Sequence, residues 1–208
     1  MQVVARKRAV IGQHEALYSL AERAAPTMTY ALHAVDLRKT NELDDAIATA
    51  GMDTQRPTLV VLECVLAYLE AEEATAVLAW AARTFPTAAV VTYDPTRPDD
   101  AFGRQMLVNL NARGCPFRSI AAVSDPERHA ARLRQCGWAR AECCDMNAVY
   151  RHLLDPHSRR AAEQLEMLDE LEEWTLMLAH YALALGVNEG QRDAHIMRGV
   201  TLTPQRSA

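Results

Sequence analysis

The chain has 208 residues, 50% hydrophobic and 24% charged, with a formal net charge of −5, and one globular domain of roughly 100–200 residues accounts for that length. A net acidic chain has no basic field to hold phosphate, so neither nucleic acid nor an anionic membrane surface is implied as a partner. No run approaches the roughly 20 apolar residues of a membrane span, and the start MQVVARKR has charges where a signal peptide needs apolar residues, which points to a cytosolic or nuclear chain, with a cytoplasmic location expected.

Arg6, Lys7 and Arg8 are read as a solvated helix start. Residues 13–24 follow with Ala16, Leu17, Leu20 and Ala21 at helical spacing, and residues 27–35 (TMTYALHAV) alternate like a half-buried strand. Residues 41–50 (NELDDAIATA) carry acids in the first turn and are followed by Gly51, the pattern of a short helix with a glycine exit. Residues 58–62 (TLVVL) form a continuous apolar run, as in a strand covered on both faces. A helix over 71–85, a strand over 88–93 and a helix over 99–113 ending at Gly114 repeat the order. A helix over 126–136, a strand over 138–144, a long helix over 158–177 and a strand over 179–187 complete the pattern. Strands alternating with such helices predict an α/β fold with a parallel sheet, and residues 188–208 predict a mobile tail after a domain of residues 1–187.

Cys64, Cys115, Cys136, Cys143 and Cys144 are odd in number and contain no C-x-x-C pair, so they fit neither a disulfide framework nor a zinc site and are read as reduced, structural thiols. Glu163, Glu166, Asp169, Glu170, Glu172 and Glu173 share their segment with Leu165, Leu168 and Leu171 at i, i+3 spacing, which is the pattern of a solvated helix face. Asp36 and Glu63 each follow an apolar strand run. Ligands in open α/β sheets sit at the carboxyl ends of strands, so these two acids are the candidate ligand contacts.

The segments AVDLRK (34–39), PTLVVLECVLAY (57–68), FGRQMLVNLNARGCP (102–116), QCGW (135–138) and LEMLDELEE (165–173) resemble the leucine carboxyl methyltransferases, in that family's order. The resemblance implies a Rossmann-like fold that uses S-adenosylmethionine to esterify the C-terminal leucine α-carboxylate of the protein phosphatase 2A catalytic subunit. It implies that Asp36 and Leu37 contact the adenine and that Glu63 holds the methionine end. Tyr68, about one helical turn beyond Glu63, is the candidate for the pocket that receives the substrate tail. It also implies that the family's glycine-bearing turn and first two strands precede residue 36 in sequence not contained here. The fold is therefore expected to be incomplete, and residues 27–35 to pair with residues 58–62 or with another copy. The alternatives are a non-catalytic truncated relative that binds a protein partner, and a relative of the tRNA wybutosine carboxyl methyltransferases.

Overall fold

A computed structural model describes residues 2–17, 30–165, 169–191 and 194–203. The chain divides into two compact units, Met1–Met52 and Asp53–Ala208, where the sequence predicts one domain.

In the first unit α1 spans Gln2–Gln13 and α2 spans Thr40–Thr49. Arg6, Lys7 and Arg8 lie in α1 and are exposed, as read. Residues 15–17 are helical, and the rest of the helix expected over 13–24 lies outside the described residues. The strand expected over 27–35 is corrected where it is described: residues 30–35 have no regular structure. A strand needs a ladder to satisfy its N–H and C=O groups, and the described residues of this unit contain no other strand. The exit of α2 is as the sequence predicts: Gly51 has φ 67°, its N–H bonds Ala48 O at 3.0 Å and that of Met52 bonds Ile47 O at 3.1 Å. That paired closure requires a left-handed residue, which glycine adopts without penalty.

The second unit is built on a four-stranded sheet, β1 Thr58–Glu63, β2 Ala88–Pro95, β3 Arg140–Asp145 and β4 Tyr181–Asn188, in the order β1-β2-β4-β3. β1 and β2 are parallel, while β4 runs antiparallel to both β2 and β3. The fold is α/β, but the fully parallel sheet expected from the alternation is corrected to a mixed one. Alternation reports which elements follow one another, and strand direction is decided by where each crossover returns.

The helices of this unit are α3 Ala71–Thr84, α4 Ala101–Ala112, α5 Pro126–Gln135, α6 Pro156–Glu163, α7 Leu171–Ala179 and α8 Ala194–Arg198. Asp100 caps α4 by accepting from Gly103 N at 2.8 Å, and Asp125 caps α5 by accepting from Arg128 N at 3.0 Å, with Pro126 in the first turn. The single helix expected over 158–177 is corrected to α6 and α7, since Glu170 leaves helical geometry with ψ 65°. Leu165 and Leu171, the described residues of the apolar stripe read there, are 87% and 62% exposed and give no packing reason for one long helix.

One face of the sheet, with Ala88, Val90, Ala182 and Ala184 buried, packs against α5 and the Trp138 ring. Trp138 is 2% exposed, its Nε1 donates to Leu78 O at 3.2 Å, and its ring lies where a Cβ on Gly186 would meet it at 2.9 Å. On the opposite face Ala89, Leu185 and Val187 pack with Met197 of α8, flanked by Val91, Val200 and Leu202. Arg140 donates to Val200 O at 2.8 Å, and Glu142 accepts from Thr201 Oγ1 at 2.7 Å and from Leu202 N at 2.8 Å. Residues 194–203, part of the stretch expected to be a mobile tail, thus cover the β4 and β3 end of the sheet. Burial pushes the Glu142 carboxyl up, but the bonds from Thr201, Leu202 and Arg140 outweigh it and hold the group below its ordinary range.

At the other end of this face Leu59 and Val61 of β1 are 63% and 62% exposed. The strand expected to be covered on both faces is therefore an edge strand with one apolar face open. A continuous apolar run does not show whether both faces are covered.

Candidate functional site at the carboxyl end of β1 and β2

Strand pairing places Glu63 opposite Tyr93, with β1 and β2 ending at the same side of the sheet. Glu63 is exposed, and its carboxylate has no hydrogen bond or ion pair among the described residues. Tyr93 stacks on Tyr181, ring centroids 5.0 Å apart and planes within 7°, because antiparallel pairing of β2 and β4 brings the start of β4 to that end of the sheet. Burial, aided by Tyr181, Cys64 and Glu63, raises the Tyr93 hydroxyl to about 12, so the ring stays neutral. A free carboxylate beside two stacked, electron-rich rings attracts a cation by charge and by ring quadrupole.

The loop after β1 is held tightly. Cys64 sits at φ 48° and donates its N–H to Tyr93 O at 2.7 Å. Burial first, then Asp94 and Glu63, push its thiol up to about 11, so it stays protonated. The 3₁₀ turn Leu66–Tyr68 follows, tied by Ser119 Oγ donating to Leu66 O at 2.8 Å and by Arg118 N donating to Ala67 O at 2.7 Å. Tyr68 is 41% exposed and its ring tilts against Phe117 at 5.3 Å. Glu63 and Tyr68 thus belong to one loop at one end of the sheet.

Asp36 and Leu37 lie in the first unit. Asp36 takes both prongs of the Arg38 guanidinium, with Nε at 2.9 Å and Nη2 at 2.7 Å, and Arg38 N donates to it at 3.1 Å. Those bonds hold the Asp36 carboxyl down at about 2. Leu37 is half-buried in the same turn.

Sequence reasoning missed the groups behind the loop. Asp94, 1% exposed at the end of β2, accepts from Ala67 N at 3.3 Å through Oδ1, while Oδ2 lies 3.9 Å from Arg132 Nη2 with no hydrogen bond. Burial pushes Asp94 up to about 6 against the pull of Arg132, and burial with Arg132 pushes the enclosed His129 down to about 4. Asp94 directly follows an apolar run, the signal that singled out Asp36 and Glu63. A second pair, His180 Nε2 with Asp100 at 2.8 Å, joins the cap of α4 to the start of β4. Gly103, inside the FGRQM segment, has no space for a side chain: a Cβ there would meet Arg97 O at 2.0 Å.

Among the described residues no helix is long and apolar enough to cross a membrane. The sequence model of leucine carboxyl methyltransferases matches residues 1–82. The leucine carboxyl methyltransferase 1 homolog of Arabidopsis thaliana is 41% identical over 160 residues, 77% of this chain and 48% of that protein. Leucine carboxyl methyltransferase 1 of Rattus norvegicus is 36% identical over 162 residues, 78% of this chain and 48% of that protein. The tRNA wybutosine-synthesizing protein 4 of Homo sapiens is 37% identical over 205 residues, 94% of this chain and 30% of that protein. The chain therefore spans about half the length of the leucine carboxyl methyltransferases it matches. Among solved structures, a DUF574 family protein from Streptomyces avermitilis superposes with TM-score 0.55 at 14% identity, covering 83% of this chain and 62% of that one. A putative methyltransferase from Thermobifida fusca superposes with TM-score 0.52 at 13% identity, covering 84% and 60%. At those identities the likeness is one of fold.

Proposed function

We propose that this chain, which belongs to the leucine carboxyl methyltransferase family, is the substrate-side part of an enzyme that methylates the C-terminal leucine carboxylate of the protein phosphatase 2A catalytic subunit. The observation that carries the reading is the Glu63 carboxylate, unpaired among the described residues, beside the Tyr93–Tyr181 stack at the carboxyl end of the sheet. That donor set suits the ammonium and sulfonium of S-adenosylmethionine, which when bound supplies the methyl group and its leaving sulfide. Glu63 would hold the methionine ammonium; the family resemblance assigns the adenine to Asp36 and the Leu37 backbone, a role that Asp36 would take by giving up part of its pairing with Arg38, which occupies both carboxylate oxygens. Tyr68, exposed on the loop with Phe117 behind it, is the candidate wall for the substrate tail.

The reaction asks little acid–base work of the protein. A C-terminal carboxylate has a pKa near 3.5 and is already ionised at pH 7, so no general base is required. The residues must instead align it and exclude water, which is a task for a rigid loop. The ties of Asp94, Ser119 and Arg118 to Leu66 and Ala67 make the loop of Glu63 and Tyr68 such a loop. The free thiols Cys64, Cys115, Cys136, Cys143 and Cys144 support a reducing, cytoplasmic setting.

Calorimetric titration with S-adenosylmethionine tests the cofactor site. Glu63→Ala should bind it at least about tenfold more weakly, the effect of a charge-assisted hydrogen bond of about 1.5–3 kcal/mol. Unchanged affinity removes Glu63 from the site. A second reading is favoured by one observation: the human tRNA wybutosine-synthesizing protein 4 aligns with 94% of this chain. Transfer of labelled methyl to a leucine-terminated peptide but not to transfer RNA decides for the first.

A further inference from the structure

The turn Leu66–Tyr68 is fastened from two sides by different chemistry. On its carbonyl side Leu66 O accepts from Ser119 Oγ at 2.8 Å and Ala67 O accepts from Arg118 N at 2.7 Å. A hydroxyl and a backbone amide keep their protons at every physiological pH. On its N–H side Ala67 N donates to Asp94 Oδ1 at 3.3 Å, and Asp94 is an ionisable group 1% exposed at the end of β2. That bond is longer than the usual distance of about 2.9–3.0 Å. Asp94 Oδ2 has no hydrogen bond, with Arg132 Nη2 standing 3.9 Å away. A buried carboxylate with one long bond and one bare oxygen is under-satisfied as an anion, and burial favours it as an acid.

The tie lies close to the candidate site. Glu63 pairs with Tyr93, the residue before Asp94, Cys64 N bonds Tyr93 O at 2.7 Å, and Ala67 adjoins Tyr68. Asp94 therefore holds, from within the fold, the loop that carries Glu63 and Tyr68. Arg132 of α5 faces it and, as an arginine, keeps its charge. His129, Cys136 and Cys143 act on Arg132 or feel its charge, and Cys64 feels both Asp94 and Glu63. Burial and Arg132 lower His129 to about 4, while burial raises Cys64 to about 11, Cys143 to about 12 and Cys136 in the same direction. None of these groups changes charge between pH 5 and 7. Asp94 does, because burial raises it to about 6 against the pull of Arg132 and of the Ala67 bond.

We propose that Asp94 is a positioning residue for the loop of Glu63 and Tyr68: as a carboxylate it draws in the Ala67 N–H and holds the turn in its ligand-receiving form, and on gaining a proton it lets the turn go. A hydrogen bond to an ionised acceptor is roughly twice as strong as one to a neutral acceptor. The protonated acid is a weaker acceptor for Ala67 and has a proton of its own to place, next to an arginine that offers only donors. Linkage then fixes the sign for binding. A ligand that requires the held turn favours the carboxylate, so its affinity rises as Asp94 ionises with rising pH, and a cation beside Glu63 adds to this by charge. The effect on binding rests on the reading of Glu63 as a cofactor contact, while the hold on Ala67 is a property of the chain alone.

The test has an arm without ligand and an arm with S-adenosylmethionine, both on the 208-residue chain. In the isotope-labelled chain alone, the Ala67 amide proton should shift through one titration centred near pH 6, and its protection from hydrogen exchange should fall about fivefold from pH 7 to pH 5. Asp94→Asn, a neutral group of the same shape, should show the low-pH shift and protection at every pH, and the parent's own titration decides this arm if the variant does not fold. By calorimetry, the affinity of the parent for S-adenosylmethionine should rise about fivefold from pH 5 to pH 7, the factor expected when binding favours the ionised form of a group titrating near 6, and that of Asp94→Asn should stay flat. An Ala67 amide indifferent to pH, or a parent that binds equally well across the range, overturns the proposal. So does an affinity that titrates alike in parent and variant, although the cofactor reading of Glu63 then survives. An Ala67 amide that titrates in a chain binding no S-adenosylmethionine at any pH upholds the grip of Asp94 on the turn and removes the cofactor reading.

Discussion

Within the first unit none of the described residues is buried, and its turns are closed by neighbours in sequence: Asp36 by Arg38, Lys39 by Glu42, Gly51 by Ala48. The second unit encloses Trp138, Leu66, Leu78, Leu133 and Val90, none more than 2% exposed, between helices and a four-stranded sheet. Both units carry an acid at the end of an apolar run, yet the two acids have different fates. Asp36 stands in a local turn, and its carboxylate is taken by an arginine two residues away. Glu63 stands at the end of a ladder next to a tyrosine stack, exposed and without an ion pair among the described residues. A ligand contact stays open when long-range structure holds it away from its own sequence neighbours.

The sharpest way to test this contrast is to remove the centre of the second core. Trp138→Ala deletes a 2%-exposed ring and its bond to Leu78, and should lower the unfolding free energy by about 3–5 kcal/mol in urea titrations. A loss under 1 kcal/mol would mean that the two units do not differ in kind. Next in size is Gly103→Ala, whose methyl would meet Arg97 O at 2.0 Å and should cost at least about 1–3 kcal/mol as overpacking. A variant as stable as the parent would show that the start of α4 relaxes easily.

A smaller effect concerns the charges enclosed behind the loop. Asp94 is raised to about 6, so the folded state favours its proton and this group's contribution declines as pH rises from about 4 to 6. His129 is lowered to about 4, so the folded state favours the neutral ring and its contribution is lost as pH falls from 6.5 towards 4. In the parent the two slopes oppose. Asp94→Asn should therefore lose stability more steeply than the parent between pH 6.5 and 4, and His129→Gln should gain relative to it. Urea midpoints at three pH values read this directly, and parallel curves for all three proteins would contradict the assignment. The smallest effect is expected in the first unit, where Asp36→Asn should leave the melting temperature unchanged, since an exposed ion pair contributes little. A clear fall in melting would give Asp36 a structural role that its exposure does not suggest.

Local signals marked the exit glycines, the caps at Asp100 and Asp125 are adjacent in sequence to the helices they start, and the β-strand runs at residues 58–62 and 88–93 were legible because apolar periodicity and capping are properties of neighbouring residues. The acid Glu63 was legible for the same reason, by its place after a strand. What the tertiary structure alone decided depends on residues distant in sequence. The reversed direction of β4 makes the Tyr93–Tyr181 stack, which joins residues 88 positions apart. The fold of residues 194–203 across the sheet rests on Arg140 and Glu142, about 60 positions earlier. The open face of Leu59 and Val61 was hidden from the sequence because an apolar strand reads the same whether or not a second layer covers it. Whether a strand forms at all is likewise a matter of partners: residues 30–35 alternate like one, and without a ladder for their backbone they remain irregular.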